Sequence, residues 1–383
     1  MRLLNVLTRF YDLQKKIDQI GNYFLLLIAF LFLFLTSIYA KTGSLILLLD
    51  EFIYFSRILF ILLLMCYVVK HKEFFIKNLD IIIIFNFIIF SLSLNVGYFS
   101  GAGLSTYSYV EKTSKGFFYG GNPVSLLCLI FFIYNLFNFR FKVKNILFII
   151  ISIFNIHIIS TKATVAVPFI FFLFFINLLK ESNLARKLIS CFLLITVLFF
   201  GYFTIKPIVM ELYENRYSKV INRAYGSYLK KERVLNSKII APLEMVANRR
   251  VMAAKQQSEY LFQNPQSILL GVGHTNQIKF WQTKNMTYHN ASMDMFDTLF
   301  MYGILGTISI FAIILKTVYS IIIKIRTDRN AIIIFMIFLY SFFGGHVINA
   351  LTSGTMMALF FGIECGKCKN NNRLFNKFRW LKH

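Results

Sequence analysis

Charged residues are scarce in this chain. They make up 15% of its 383 residues, against about 25% in soluble domains, too few to cover a water-facing surface of that size. Carboxylates are scarcer still, with 17 Asp and Glu against 41 Lys and Arg and a net charge of +24. In a soluble protein that balance would point to nucleic acid. Here most Lys and Arg lie outside the apolar runs, many of them in short connections where they set topology, so nucleic acid is not an expected partner. Strict alternation of apolar and polar residues is absent as well, which excludes a membrane β-barrel. The 5 cysteines form no framework: Cys66, Cys128 and Cys191 sit inside apolar runs and read as core. Cys365-Gly-Lys-Cys368 is a lone pair, short of the ligands that a structural zinc site needs. No internal repeat is visible, and neither a Walker phosphate loop nor an Asp-x-Asp nucleotide-sugar motif occurs. None of these patterns calls for a metal or a cofactor.

What the chain has in excess is apolar length. Residues of the hydrophobic set make up 57%, gathered into continuous runs near 20 residues, the length that crosses a bilayer as a helix. The expected fold class is all-α, a polytopic membrane protein of about ten helices. The spans are read at 22–40, 51–69, 80–98, 117–138, 145–160, 163–179, 188–206, 296–317, 330–349 and 351–366. No A-x-A cleavage pattern follows the first run, so it reads as a permanent helix. The organisation is then helices one to seven over 1–206, a large polar loop over 207–293, helices eight to ten over 294–366, and a basic tail over 367–383.

Topology follows from charge. The short loops that would lie opposite the termini hold only Lys41, Lys112, Lys115 and Lys162, while the loops on the terminal side are rich in Lys and Arg. The positive-inside rule places both termini in the cytoplasm and the large loop outside. The tail, with Trp380 and its Lys and Arg, suits the anionic lipids of the inner leaflet. The outer loop is itself basic, which topology does not require. Such a loop attracts an anionic ligand.

Within that loop Glu244 to Phe262 is rich in helix formers and free of Gly and Pro, so a helix is expected from Arg249, capped by Asn248 and ended before Pro265. Arg249 and Arg250 then stand in its first turn beside free backbone N–H groups, an arrangement that binds anions. Gly271-Val-Gly273 reads either as a turn or as a place where backbone approaches a ligand. His289-Asn290 stands just before the eighth span, and a histidine can accept a proton near neutral pH. Asp294 and Asp297, spaced i, i+3, read as a divalent-ion pair or, more simply, as carboxylates on a helix dipole. Arg57, an ionisable group within a span, either pairs with Asp50 or Glu51 or joins an anion pocket. Lys162 sits at a tight outer turn against the charge bias. Gly116 to Pro123, with Asn122, either opens a cavity or makes a loose helix start.

Taken in order, GFFYGGNPVS, STKATVAV, R-x13-NP-x5-GVG and HN-x12-GILG resemble the O-antigen ligase and Wzy-type polysaccharide polymerase superfamily, over roughly residues 116–306. Two positions depart from the family pattern. Lys162 stands where an arginine is usual, and Ala254 where a tryptophan is common. The resemblance implies a metal-independent, inverting glycosyltransferase of the GT-C type in the bacterial cytoplasmic (inner) membrane. Its donor would be an undecaprenyl-diphosphate-linked oligosaccharide, handed to another lipid-linked repeat unit, with membrane lipids and a chain-length regulator as further partners. His289 would be the general base and Arg250 the catalytic cation on the diphosphate. Arg249, Lys162, Arg57, Asn122, Gly271, Gly273 and Asn290 would bind substrate. The alternatives are an O-antigen ligase acting on lipid A core and, from another class, a flippase or transporter. Against the last, no inverted repeat and no matching pair of broken helices is seen.

Overall fold

The structure is a computed structural model that describes residues 27–39, 43–106, 113–118, 120–138, 143–159, 250–283, 293–323, 328–343 and 347–368, with positions 167, 170, 173, 174 and 345. Every element among the described residues is helical. In chain order they are α1 (Leu27–Tyr39), α2 (Leu45–Lys70), α3 (Lys72–Ser100), α4 (Gly121–Phe137), α5 (Val143–Ile159), α6 (Arg250–Gln263), α7 (Pro265–Leu270), α8 (His274–Thr283), α9 (Asp294–Ile323), α10 (Arg329–Phe343) and α11 (Leu351–Cys368). Helices thus stand at the expected first to fifth and eighth to tenth spans. The spans at 163–179 and 188–206, and the loop segments 207–249 and 284–292, lie outside the described residues apart from the isolated positions above.

Among the described residues three helices are long and apolar enough to cross a membrane: α2, α3 and the Asp294–Ala312 part of α9. Their outward faces argue the same way. α2 buries Phe55, Ile58, Ile61, Leu62, Met65 and Val68, yet exposes Ile46, Leu49, Ile53, Phe60 and Leu63. A helix that is apolar all round belongs in a protein core or in lipid. Apolar side chains on the exposed face fit lipid.

The chain divides into two compact units that interleave along the sequence: Met1–Phe75 with Glu244–Ile323 and Phe338–His383, and Ile76–Leu243 with Lys324–Ile337. In the first, α11 lies along α2. Along α11 small residues recur about once per turn, at Gly354, Ala358, Gly362 and Gly366, the pattern that lets membrane helices approach closely. A Cβ on Gly354 would lie 2.2 Å from Ile61 Cδ1, and one on Gly362 would lie 2.7 Å from Val68 Cβ. At the far end Lys72 Nζ donates to the carbonyl of Gly366 at 3.0 Å, and Lys367 Nζ meets the buried Glu364 carboxylate at 2.7 Å.

In the second unit α4 is the centre, buried at every position from Pro123 to Leu136. Aromatic pairs fix it: Phe131 lies 5.6 Å from Phe87 and 5.3 Å from Phe90, centroid to centroid. Polar side chains buried here answer one another, as burial in an apolar setting requires. Asn155 Nδ2 donates to Ser91 Oγ at 2.8 Å, Asn95 Nδ2 to Asn155 Oδ1 at 3.0 Å, and Asn135 Nδ2 to Ser152 Oγ at 3.0 Å. The Arg329 guanidinium rests over the Tyr134 ring at 4.0 Å and lies 3.5 Å from Asp80, to which the Tyr134 hydroxyl donates. Asn122, half-buried in the first turn of α4, follows a Gly120 N-cap that has no capping side chain.

The small-residue stripe generates a testable expectation. Gly362→Val should cost about 1–3 kcal/mol through overpacking against Val68, whereas the exposed Thr352→Ala should be near neutral. Thermal unfolding of purified protein in detergent, read by size-exclusion chromatography, checks this. Equal stability of the two variants would mean that α11 does not pack on α2 through its glycines.

Candidate functional site

The described part of the 207–293 segment folds into three short helices, α6 to α8, and one break in α9 determines where they sit. At Gly303 the backbone of α9 leaves the helical range, with φ 63° and ψ −169°, a conformation open in practice to glycine alone. The break gives carbonyls on the preceding turn new partners. Val272 N–H donates to Phe300 O and Gly273 N–H to Met301 O, both at 2.9 Å. The approach is backbone to backbone: a Cβ on Gly271 would fall 2.2 Å from Met301 O, and one on Gly303 would fall 2.4 Å from Leu269 O. Gly271 and Gly273 both hold positive φ. The Gly-Val-Gly stretch is therefore a turn joined to a broken helix, and both glycines are accounted for by packing against this chain.

Immediately after that turn α8 begins, and its free amino end points at a carboxylate. Glu51, on α2 and fully buried, accepts from His274 N–H at 2.8 Å through Oε2 and from Thr275 N–H at 2.7 Å through Oε1. Backbone donors at a helix N-terminus, with the dipole behind them, are a favourable partner for an anion. A Cβ at position 273 would lie 2.7 Å from Glu51 Oε1, so the second glycine also leaves room for this carboxylate. Beside it the Tyr54 and His274 rings stack at 3.7 Å and 14°, and the Arg57 guanidinium lies 5.5 Å from the Tyr54 ring centre. Of the two readings of Arg57, pairing with Glu51 is not what forms: Glu51 is committed to α8, and exposed Arg57 extends the aromatic stack.

Two more carboxylates complete the mount. Asp297 Oδ1 accepts from Gln257 of α6 at 3.1 Å and from Gln277 of α8 at 3.0 Å, while its Oδ2 accepts from Met293 N–H at 3.1 Å. Asp294 Oδ2 accepts from Ser341 Oγ at 2.9 Å, Val347 N–H at 2.7 Å and Ile348 N–H at 3.1 Å. Both aspartates begin α9, where its dipole favours negative charge. Each is also a hydrogen-bond hub for a different neighbour, and no group of three or more His, Cys, Asp and Glu suited to a metal occurs among the described residues. Tyr302, one residue before the break, is held edge-on by Phe34 of α1 and Phe55 of α2, each at 5.2 Å.

α6 runs Arg250–Gln263, one residue inside the start expected from sequence, and Pro265 opens α7. Its buried stripe is Ala254, Gln257 and Leu261, and Ala254 packs on Met293 at the entry to α9. Position 250 is the first of α6 and in register with that stripe; Arg249, Lys162, His289 and Asn290 lie outside the described residues. Asn122 belongs to the second compact unit. The sequence reading missed Gln257, Gln277 and Gly303 as organising residues and weighed Glu51 only as a partner for Arg57. A carboxylate inside an apolar helix was the available signal.

Glu51→Ala should leave two buried helix-end donors without an acceptor and cost about 1–3 kcal/mol. Gly303→Ala, strained and blocked by Leu269 O, should abolish folded protein. Gly43→Ala has positive φ but open space around it, so it should cost only about 1–2 kcal/mol. Melting curves of the three in one detergent test the ranking, and a Gly303→Ala protein as stable as Gly43→Ala would refute the junction. No protein-family model matches the chain, and no curated protein matches it.

Proposed function

We propose that the chain is a membrane-embedded polysaccharide polymerase of the Wzy type. It would transfer an undecaprenyl-diphosphate-linked oligosaccharide onto a second lipid-linked repeat unit at the outer face of the cytoplasmic membrane. Ten spans with cytoplasmic termini and an extracytoplasmic 207–293 loop are the topology this reading requires.

One observation carries it: the packing of Ala254 on Met293. Arg250 stands one helical turn before Ala254, and His289 stands four residues before Met293. The contact supports bringing the start of α6 and the segment entering α9 to one place, where a cation and a base are both needed. The order of motifs along the chain supports the same pairing.

In this reading Arg250, helped by Arg249 and Lys162, holds the donor diphosphate. The bond from the anomeric carbon to the diphosphate oxygen breaks, and the diphosphate leaves with the electron pair. The acceptor hydroxyl oxygen forms the new glycosidic bond, and its proton passes to His289. Charge grows on the leaving group as the bond breaks, so fixed cations favour the transition state over the ground state. Positioned proton transfer adds about 10²–10⁴-fold. Gly271 and Gly273 serve as part of the mount, and their assignment to substrate binding rests on the resemblance. Arg57, Asn290 and Asn122 remain substrate-binding assignments by resemblance.

The test is a complementation gel in cells lacking the gene. Wild type should restore a ladder of surface polysaccharide, and Arg250→Ala and His289→Ala should reduce it to a single repeat unit, with losses on the order of 10²–10³ in rate for the arginine. A full ladder from both variants would remove these residues from the chemistry. Lipid-linked polymer accumulating with nothing attached to lipid A core would indicate a ligase, and repeat units held on the cytoplasmic leaflet a flippase.

A further inference from the structure

Helix α8 has two faces. His274, Gln277 and Trp281 point into the mount, and Gln277 and Trp281 are almost fully buried. The opposite face carries Asn276, Lys279, Phe280 and Thr283, which with Tyr260 of α6 and Ser267 of α7 line a groove of about 330 Å³. Neither the catalytic reading nor the motifs that led to it use this groove.

Its chemistry is specific in three respects. Tyr260 and Phe280 form an aromatic corner, with centroids 5.1 Å apart and planes at 62°, backed by Phe300 at 5.7 Å from Tyr260. Tyr260 remains 36% exposed, so this corner is partly open. Hydroxyls and an amide stand around it, and Asn276 is held in place by donating to Val272 O at 2.8 Å. Among the described lining residues Lys279 is the one that is charged, and no carboxylate stands among them. An aromatic wall offers nothing to a bare phosphate, and a lone lysine offers nothing to a neutral apolar molecule. A ring with an apolar face, several hydroxyls and one negative charge uses all three. The volume is near the lower end of small-molecule sites, about 300–1,000 Å³, which limits the occupant to one such ring.

We propose that this groove is a binding subsite for a single acidic sugar ring, its carboxylate on Lys279 and its C–H face against Tyr260 and Phe280. The choice of a sugar over another hydroxylated acid rests on the polymerase reading; the charge and the ring do not.

Full-length protein in nanodiscs is titrated with methyl β-D-glucuronide, methyl β-D-glucoside or inorganic phosphate and followed by saturation-transfer NMR. Wild type should bind the glucuronide through its ring protons. Lys279→Gln, an exposed substitution that the fold tolerates, should weaken it about tenfold, the loss of one charge-assisted hydrogen bond. The glucoside should bind more weakly, unchanged by Lys279→Gln, and Asn276→Ala should weaken both sugars. Equal glucuronide affinity in wild type and Lys279→Gln would overturn the proposal, as would displacement of the glucuronide by phosphate at equal concentration. The two readings fail separately. Lys279-dependent binding in a protein whose wild type restores no ladder upholds the groove and removes the polymerase. Absent binding beside a ladder that needs Arg250 and His289 does the reverse.

Discussion

Burying a carboxylate in an apolar helix costs several kcal/mol unless donors meet it. At Glu51 the donors are two backbone N–H groups at the start of α8. The helix end needs an acceptor as much as the carboxylate needs donors, so each makes the other's burial tolerable. The rest of the first compact unit follows from that bond. It anchors α8 to α2, the turn before α8 is laced to the broken α9, and Asp297 draws α6 and α8 onto the first turn of α9. The three acidic side chains that hold the unit together, Glu51, Asp294 and Asp297, come from a chain with only 17 acidic residues.

The elements were legible where local signals determine them. The helix over Arg250–Gln263 follows from its composition and from Pro265, and the apolar runs marked the long helices with ends a few residues off. Gly271 and Gly273 read correctly as a possible turn, because positive φ is a local property. What they touch was not legible. The partner of Gly271 is a carbonyl on α9, and the partner of α8 is a glutamate 223 positions earlier; neither leaves a periodic trace. Gly303 looked like one residue of an apolar helix, since nothing in its neighbours announces a break. Asp294 and Asp297 were legible as helix-start carboxylates, but apart from Met293 N–H their donors come from α6, α8, α10 and the segment before α11, which only the fold assembles.

The two compact units solve the same problem differently. In one, the buried polar groups centre on three carboxylates met by backbone N–H donors, side-chain amides and a hydroxyl. In the other they are neutral amides and hydroxyls that meet one another between α3, α4 and α5. Neutral networks satisfied within the helical layer cost little to bury and fix which faces meet. Charged ones suit the region where helices end and loops supply N–H groups.

Along α11 the small residues Gly354, Ala358, Gly362 and Gly366 recur every four positions, and Gly354 and Gly362 are the ones that meet α2. A repeat of that kind carries no phase of its own. Sliding α11 by one step of four residues, about 6 Å, would set small residues against α2 almost as before. Phase is supplied from outside the repeat, by Lys72 reaching the carbonyl of Gly366 at one end and by Asp294 holding Val347 and Ile348 at the other. The stripe decides how near the two helices come, and these two polar clasps decide where along each other they stop.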